Sequence, residues 1–178
     1  VGSKTGGFAE SAEVTSGNPA LDVGDGGARV KTEEAHTYEA GSKMVLLDRR
    51  LNVNAAVFYT EIFDFQETSF LVTETSAGFL TQNVDVESTG FELDARYQLN
   101  EDWRISGALT YADSVHKDDG SDLAQAPKLT GNVGYSYITE LDFENLVFRG
   151  TGFIRYRDKM VSQINETYPS ASLTTVDL

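Results

Sequence analysis

The chain of 178 residues carries 14 Lys and Arg against 28 Asp and Glu, a net charge of −14, so it has no basic surface with which to neutralise nucleic-acid phosphates. It holds no cysteine, which excludes a disulfide framework and any thiolate metal site. Its 8 tyrosines, 10 phenylalanines and 16 glycines favour an all-β chain over a helical bundle.

Residues 1 to about 30 are rich in Gly, Ser, Asp and Asn without a sustained period. We read 1–36 as a strand end plus a long loop, and 37–178 as a meander of strands. From Thr37 to Leu47, Tyr38, Ala40, Ser42 and Met44 alternate with Glu39, Gly41, Lys43 and Val45, and Asp48-Arg49-Arg50 turns the chain. Leu51, Val53, Ala55, Val57 and Tyr59 then form the apolar face of a clearer strand. After Asp64 we expect a long connection to about Leu80.

The strongest signal runs from Thr89 to Asp113. Phe91, Leu93, Ala95 and Tyr97 alternate with Glu92, Asp94, Arg96 and Gln98; Asn100-Glu101-Asp102 turns; Trp103, Ile105, Gly107, Leu109 and Tyr111 restore the apolar face. A helix would mix these faces, whereas a strand separates them. A second long connection, Ser114 to Ala126, carries Asp118-Asp119-Gly120-Ser121-Asp122. Leu129, Gly131, Val133, Tyr135 and Tyr137 mark the next strand. Phe148, Gly150, Gly152, Ile154 and Tyr156 follow, opposed by Arg149, Thr151, Phe153, Arg155 and Arg157. A third long connection spans Asp158 to Ser170, and a last strand starts near Leu173.

The connections alternate between short and long, so all the long ones fall at one end, as in outer-membrane barrels. Tyr97, Trp103, Tyr137 and Phe148 then fall on one margin, and Tyr59, Tyr111 and Tyr156 on the other. Trp103 to Tyr111 covers roughly 26 Å of strand, or about 20 Å of height at a tilt near 40°, close to the ~25 Å apolar band of such barrels. These seven aromatics are the expected interfacial girdles. Glu92, Asp94, Arg96, Arg149, Arg155 and Arg157 belong to the opposite face, where they line the lumen, contact a plug, or pair with one another across strands.

Ser3-Lys4-Thr5-Gly6-Gly7-Phe8, Asn18-Pro19-Ala20-Leu21 and Tyr38-Glu39-Ala40-Gly41-Ser42-Lys43 occur in that order, followed by Leu51-Asn52-Val53-Asn54-Ala55-Ala56-Val57-Phe58-Tyr59-Thr60, Gly90-Phe91-Glu92-Leu93 and Ala126-Pro127-Lys128. The ordered set resembles the C-terminal half of TonB-dependent outer-membrane receptors. The resemblance implies an antiparallel up-and-down meander of about seven strands within a transmembrane barrel of about 22, the plug domain and closing strands lying outside these residues. It further implies bacterial outer-membrane lipid around the barrel and TonB reached through the plug. The function implied is import of a scarce nutrient such as a ferric siderophore. One departure is Val23 to Lys31, longer and richer in Gly than the family's usual Pro-Glu continuation.

No catalytic set is visible: His36 and His116 fall in or beside expected loops and read as surface histidines, with no nucleophile at a suggestive spacing. The chain therefore reads as a receptor rather than an enzyme, with no cofactor. Asp118 to Asp122 is either a calcium-binding turn or a solvated loop. Phe70, Phe79 and Tyr168 are candidate ligand-stacking residues or loop packing. A rival reading of the whole chain is a soluble, acidic β-sandwich or adhesin-like binding module, calcium-dependent through that turn. An open set of strands with an apolar face is not expected to be stable alone in water.

Overall fold

The computed structural model describes residues 2–5, 7–8, 29–72, 77–141, 146–161 and 169–177. Its strands, in chain order, are β1 (Gly2–Lys4), β2 (Gly7–Phe8), β3 (Arg29–Val30), β4 (Glu33–Leu46), β5 (Leu51–Val72), β6 (Ala77–Gln98), β7 (Trp103–His116), β8 (Leu129–Leu141), β9 (Leu146–Arg157), β10 (Met160–Val161), β11 (Pro169–Ser170) and β12 (Leu173–Asp177). Eight of them form one sheet in the order β1-β4-β5-β6-β7-β8-β9-β12, and the others form two short ribbons, β2 with β3 and β10 with β11. From β4 to β9 each strand pairs antiparallel with its successor in the chain. The fold is all-β, an open antiparallel meander without helices among the described residues.

The register carries the alternation from strand to strand. Met44, Val53, Ala95, Gly107, Val133, Ile154 and Val176 are direct cross-strand partners in turn, so one apolar row crosses seven strands unbroken. A slip of one residue in the pairing of β6 would put Glu92 and Asp94 on that face, because side chains alternate with period two. Two short turns hold the register at one end. Asp48 and Arg49 both take left-handed backbone angles (φ 53° and 68°), and Arg50 N–H donates to Leu47 O at 3.0 Å, the twist-matched turn of a hairpin. Asn100 Oδ1 accepts from Asp102 N at 3.0 Å and from Trp103 N at 2.8 Å, closing the next one.

At the other end the strands run further than the sequence suggests. The expected connection from Asp64 to Leu80 is instead a continuation of the hairpin, with pairing from Phe65↔Val84 to Val72↔Ala77. A bulge between Ile62 and Phe65 hides it, since the extra residue breaks the alternation. Asp64 takes φ 53° there, its N–H donates to Asp85 Oδ1 at 2.9 Å, and Asn83 Nδ2 donates to its carbonyl at 2.6 Å. Phe70 and Phe79, expected in a loop, are strand partners. His36 likewise lies within β4, which begins at Glu33 rather than Thr37. Tyr168 lies outside the described residues.

There is almost no protein core. Among the described residues Val86, at 1% exposure, is the one buried hydrophobic side chain, while Val57 and Val133 of the apolar face are each 59% exposed. A sandwich would bury such a face against a second sheet about 10 Å away. Here the two small ribbons are the only other sheets described, and neither can cover it. The rival reading as a soluble sandwich fails on this point.

Two glycines are required by close approach. The Phe58 ring covers Gly90 on the polar face, where a Cβ would also meet the Tyr111 carbonyl; the Tyr135 ring covers Gly152 on the apolar face, 2.7 Å from where a Cβ would stand. Gly90→Val is expected to lower barrel stability by about 1–3 kcal/mol through overpacking. The thermal midpoint of the full-length protein in detergent measures it; an unchanged midpoint would mean that the ring moves aside freely.

Candidate functional site

The polar face of the wall is the first candidate surface. On β6, Glu92 pairs with Ala56 and Thr110, Asp94 with Asn54 and Ala108, and Arg96 with Asn52 and Ser106. Asn54 Nδ2 donates to Asp94 Oδ1 at 3.0 Å. On β9, Arg149 pairs with Ile138, Arg155 with Asn132 and Thr175, and Arg157 with Thr130 and Leu173. All six residues share one face, but β7 and β8 stand between the two groups, about 14 Å of sheet at the usual strand spacing. No ion pair joins them among the described residues. Arg155 instead approaches Asp177 at 3.7 Å and lies 4.0 Å from the centroid of Phe153. Arg104 of β7 joins this face too, its Nε donating to Gln98 Oε1 at 2.9 Å.

The opposite face carries the aromatic margins. Trp103 packs on Tyr137 at 4.6 Å and on Tyr135 at 5.8 Å between ring centroids, and Tyr137 meets Phe148 at 6.0 Å, with Tyr97 one pair away through Ile105. At the far margin Phe91 stacks on Tyr111 at 5.7 Å, and Tyr59 is the direct partner of Tyr38, a residue missing from the expected belt. Tyr156 completes this margin, its hydroxyl donating to Asp158 Oδ1 at 3.3 Å. The Tyr59 hydroxyl likewise donates to Glu87 Oε2 at 3.2 Å, so these two tyrosines turn an apolar ring to the sheet face and a polar tip to the rim.

Beyond this far margin lies a rim of charges. His116 is not a surface residue: its side chain is 15% exposed and its Nε2 lies 3.1 Å from Oε2 of Glu67, itself 6% exposed. Ser121 Oγ donates to Asp119 Oδ1 at 2.7 Å and lies 3.0 Å from His116 Nδ1. His116 Nδ1 also lies 3.2 Å from the Ser121 carbonyl, so the ring is held at both nitrogens. The network clips the connection after β7 onto the extended β5–β6 hairpin, across 49 residues of sequence. Sequence reasoning missed it because Glu67 lay in what read as a loop.

Lysines at the same level are held by carboxylates. Lys128 Nζ lies 2.8 Å from Asp113 and 2.9 Å from Asp122, Lys117 2.9 Å from Glu61, and Lys31 2.9 Å from Asp64. Hydrogen bonds to Asp113 and then Asp122 raise the Lys128 pKa well above the ordinary value. Asp119 is lowered, first by the Ser121 hydroxyl and then by its N–H. Asp119 and Asp122 are turned to different partners, and no three acidic or His side chains among the described residues converge.

Comparison with known proteins places this geometry. Residues 3–178 match the family model described as "TonB dependent receptor-like, beta-barrel". The metal-pseudopaline receptor CntO of Pseudomonas aeruginosa is 31% identical over 131 residues, covering 71% of this chain and 18% of that protein. Among solved structures, the copper transporter OprC superposes with a TM-score of 0.68 at 22% identity over 85% of this chain and 24% of its own. The siderophore receptor PiuA of Acinetobacter baumannii gives 0.60 at 22% identity over 86% of this chain and 22% of its own. The chain thus spans about a fifth of the length of the proteins it matches.

The rim network has a pH signature. A carboxylate with a lowered pKa contributes in full above its unfolded value, about 3.9, and loses that contribution as pH falls through the folded value. The Lys128 clamp, raised, holds below about 10.4 and yields only at more alkaline pH. Amide exchange of residues 117–125 is therefore expected to be slow from pH 5 to 8 and to quicken below about pH 3.9 beyond its intrinsic trend. His116→Ala is expected to accelerate it about 5- to 150-fold at pH 6.5, for the loss of about 1–3 kcal/mol locally; equal protection in the variant would remove the latch.

Proposed function

Because the chain belongs to the TonB-dependent receptor β-barrel family, we propose that it forms wall and rim of an outer-membrane receptor that imports a scarce, metal-bound nutrient such as a ferric siderophore. The carrying observation is the single-layer sheet with an unbroken apolar row on one face and charges on the other. Outer-membrane lipid covers the apolar face, with Tyr97, Trp103, Tyr137 and Phe148 at the periplasmic interface and Tyr59, Tyr111 and Tyr156 at the extracellular one. The polar face, with Glu92, Asp94, Arg96, Arg149, Arg155 and Arg157, lines the lumen. Relatives named as receptors or transporters of metals and siderophores support the solute class. Energy is coupled through TonB by way of a plug, a segment distinct from the barrel strands described here. Transport of this kind makes and breaks no covalent bond in the solute.

Deleting the gene is expected to slow growth in medium stripped of iron, copper, zinc or nickel. The full-length gene should restore growth only where TonB is active. Unchanged growth and metal content under all four limitations would reject the importer. The orientation of the wall has its own check. Val133→Arg places a charge in lipid and is expected to cost about 2–4 kcal/mol and much of the assembled receptor, whereas Ser136→Arg, on the other face of the same strand, should assemble normally. Equal assembly of both variants would invert or abolish the assignment of faces.

A further inference from the structure

The polar wall is electrically uneven. Across β7, β8 and β9 its charged side chains between the margins are Arg104, Arg149, Arg155 and Arg157, while its carboxylates Glu92 and Asp94 stand on β6 beside Arg96. Near the extracellular end of β9 a cavity of about 320 Å³ opens on this face, lined among others by Thr110, Thr130, Asn132, Arg155, Arg157 and Thr175. Register makes this a built surface: Glu92, Thr110, Thr130 and Arg157 are successive partners along one row, and Asp94, Ala108, Asn132, Arg155 and Thr175 along the next.

Several donors of the cavity have no partner among the described residues. Arg157 Nε is shielded from solvent and has no hydrogen-bond partner. No side-chain hydrogen bond recorded among the described residues occupies Thr110, Thr130, Asn132 or Thr175. Among the described residues the one carboxylate engaging the pair is Asp177, 3.7 Å from Arg155 and more than half exposed, a loose contact. A shielded, unpartnered guanidinium nitrogen is costly and calls for an acceptor. Two arginines on one strand face, with hydroxyls and an amide beside them, present the fork geometry that carboxylates fill.

We propose that this cavity is a binding site for a carboxylate-bearing small anion: Arg155 and Arg157 hold the carboxylate while Thr130 and Asn132 donate to its remaining oxygens. The inference rests on the receptor reading in that this face must line a solvent-filled lumen, and it names the chemistry of the solute that pauses there: a multiply carboxylated chelate rather than a neutral one.

The test is equilibrium binding of the iron-free tricarboxylate tricarballylate to the purified full-length receptor, read by calorimetry without TonB or an energy source, so that failure to transport does not affect it. Saturable binding is expected that weakens as salt is raised from about 50 to about 300 mM, with no binding of glycerol. Arg155→Gln with Arg157→Gln together should weaken binding roughly tenfold or more, and Thr130→Val severalfold without any change of charge. Arg157→Lys should recover only part of the loss, since it keeps the charge and not the fork. Absence of saturable binding by the wild type, or binding unchanged in the double variant of intact barrel mobility on gels, overturns the site. Binding that emerges only once the plug is removed also overturns it, because the plug's own carboxylates would then be its occupant. Failure of the importer reading would appear separately, as a receptor that binds the tricarboxylate yet supports no metal-limited growth.

Discussion

The whole structure depends on the cross-strand ladder and its period of two. With a single buried hydrophobic side chain among the described residues, packing cannot hold this sheet together. Backbone hydrogen bonds to the neighbouring strand do so, and they are strongest where no water competes for them. The same ladder sorts the side chains. Each pairing passes the apolar row from Met44 to Val176 to the next strand without a slip, and so keeps every ionisable residue between the margins on the other face. A charge in lipid would cost more than any single pair in the ladder returns, so register and environment enforce each other.

Above the far aromatic margin the physics changes. There the hairpin of β5 and β6 stands free of the apolar band, and its order comes from polar contacts: the bulge pinned by Asp85 and Asn83, the His116–Glu67 pair, and lysines held by carboxylates. Most of these groups are partly exposed and individually weak, so their value lies in number and in geometry. The exception is Glu67, whose burial makes His116 an obligatory partner. A rim built this way fixes the base of the connections.

The polar face uses charge differently. Its carboxylates Glu92 and Asp94, with Arg96 beside them on β6, are separated by β7 and β8 from the arginines of β9, and no ion pair joins the two groups among the described residues. Paired charges would only stiffen the sheet; separated ones leave donors unsatisfied and therefore available to a visitor.

Local chemistry was legible in the sequence wherever the alternation was unbroken. Phe91 to Tyr97 and Trp103 to Tyr111 declared two strands and both faces. Asn100 declared their turn, and the spacing of the tyrosines declared the margins, because strand geometry fixes face and height from residue number alone. It failed at Asp64, where one extra residue in a bulge reversed the pattern and made ordered strands read as loop. It was also silent on Glu67 with His116 and on the distance between Glu92 and Arg157, since neighbours across a sheet are set by register summed over several ladders. The sequence by itself determined which side chains share a face. Only the tertiary structure decided which of them meet, because that depends on pairings between residues tens of positions apart.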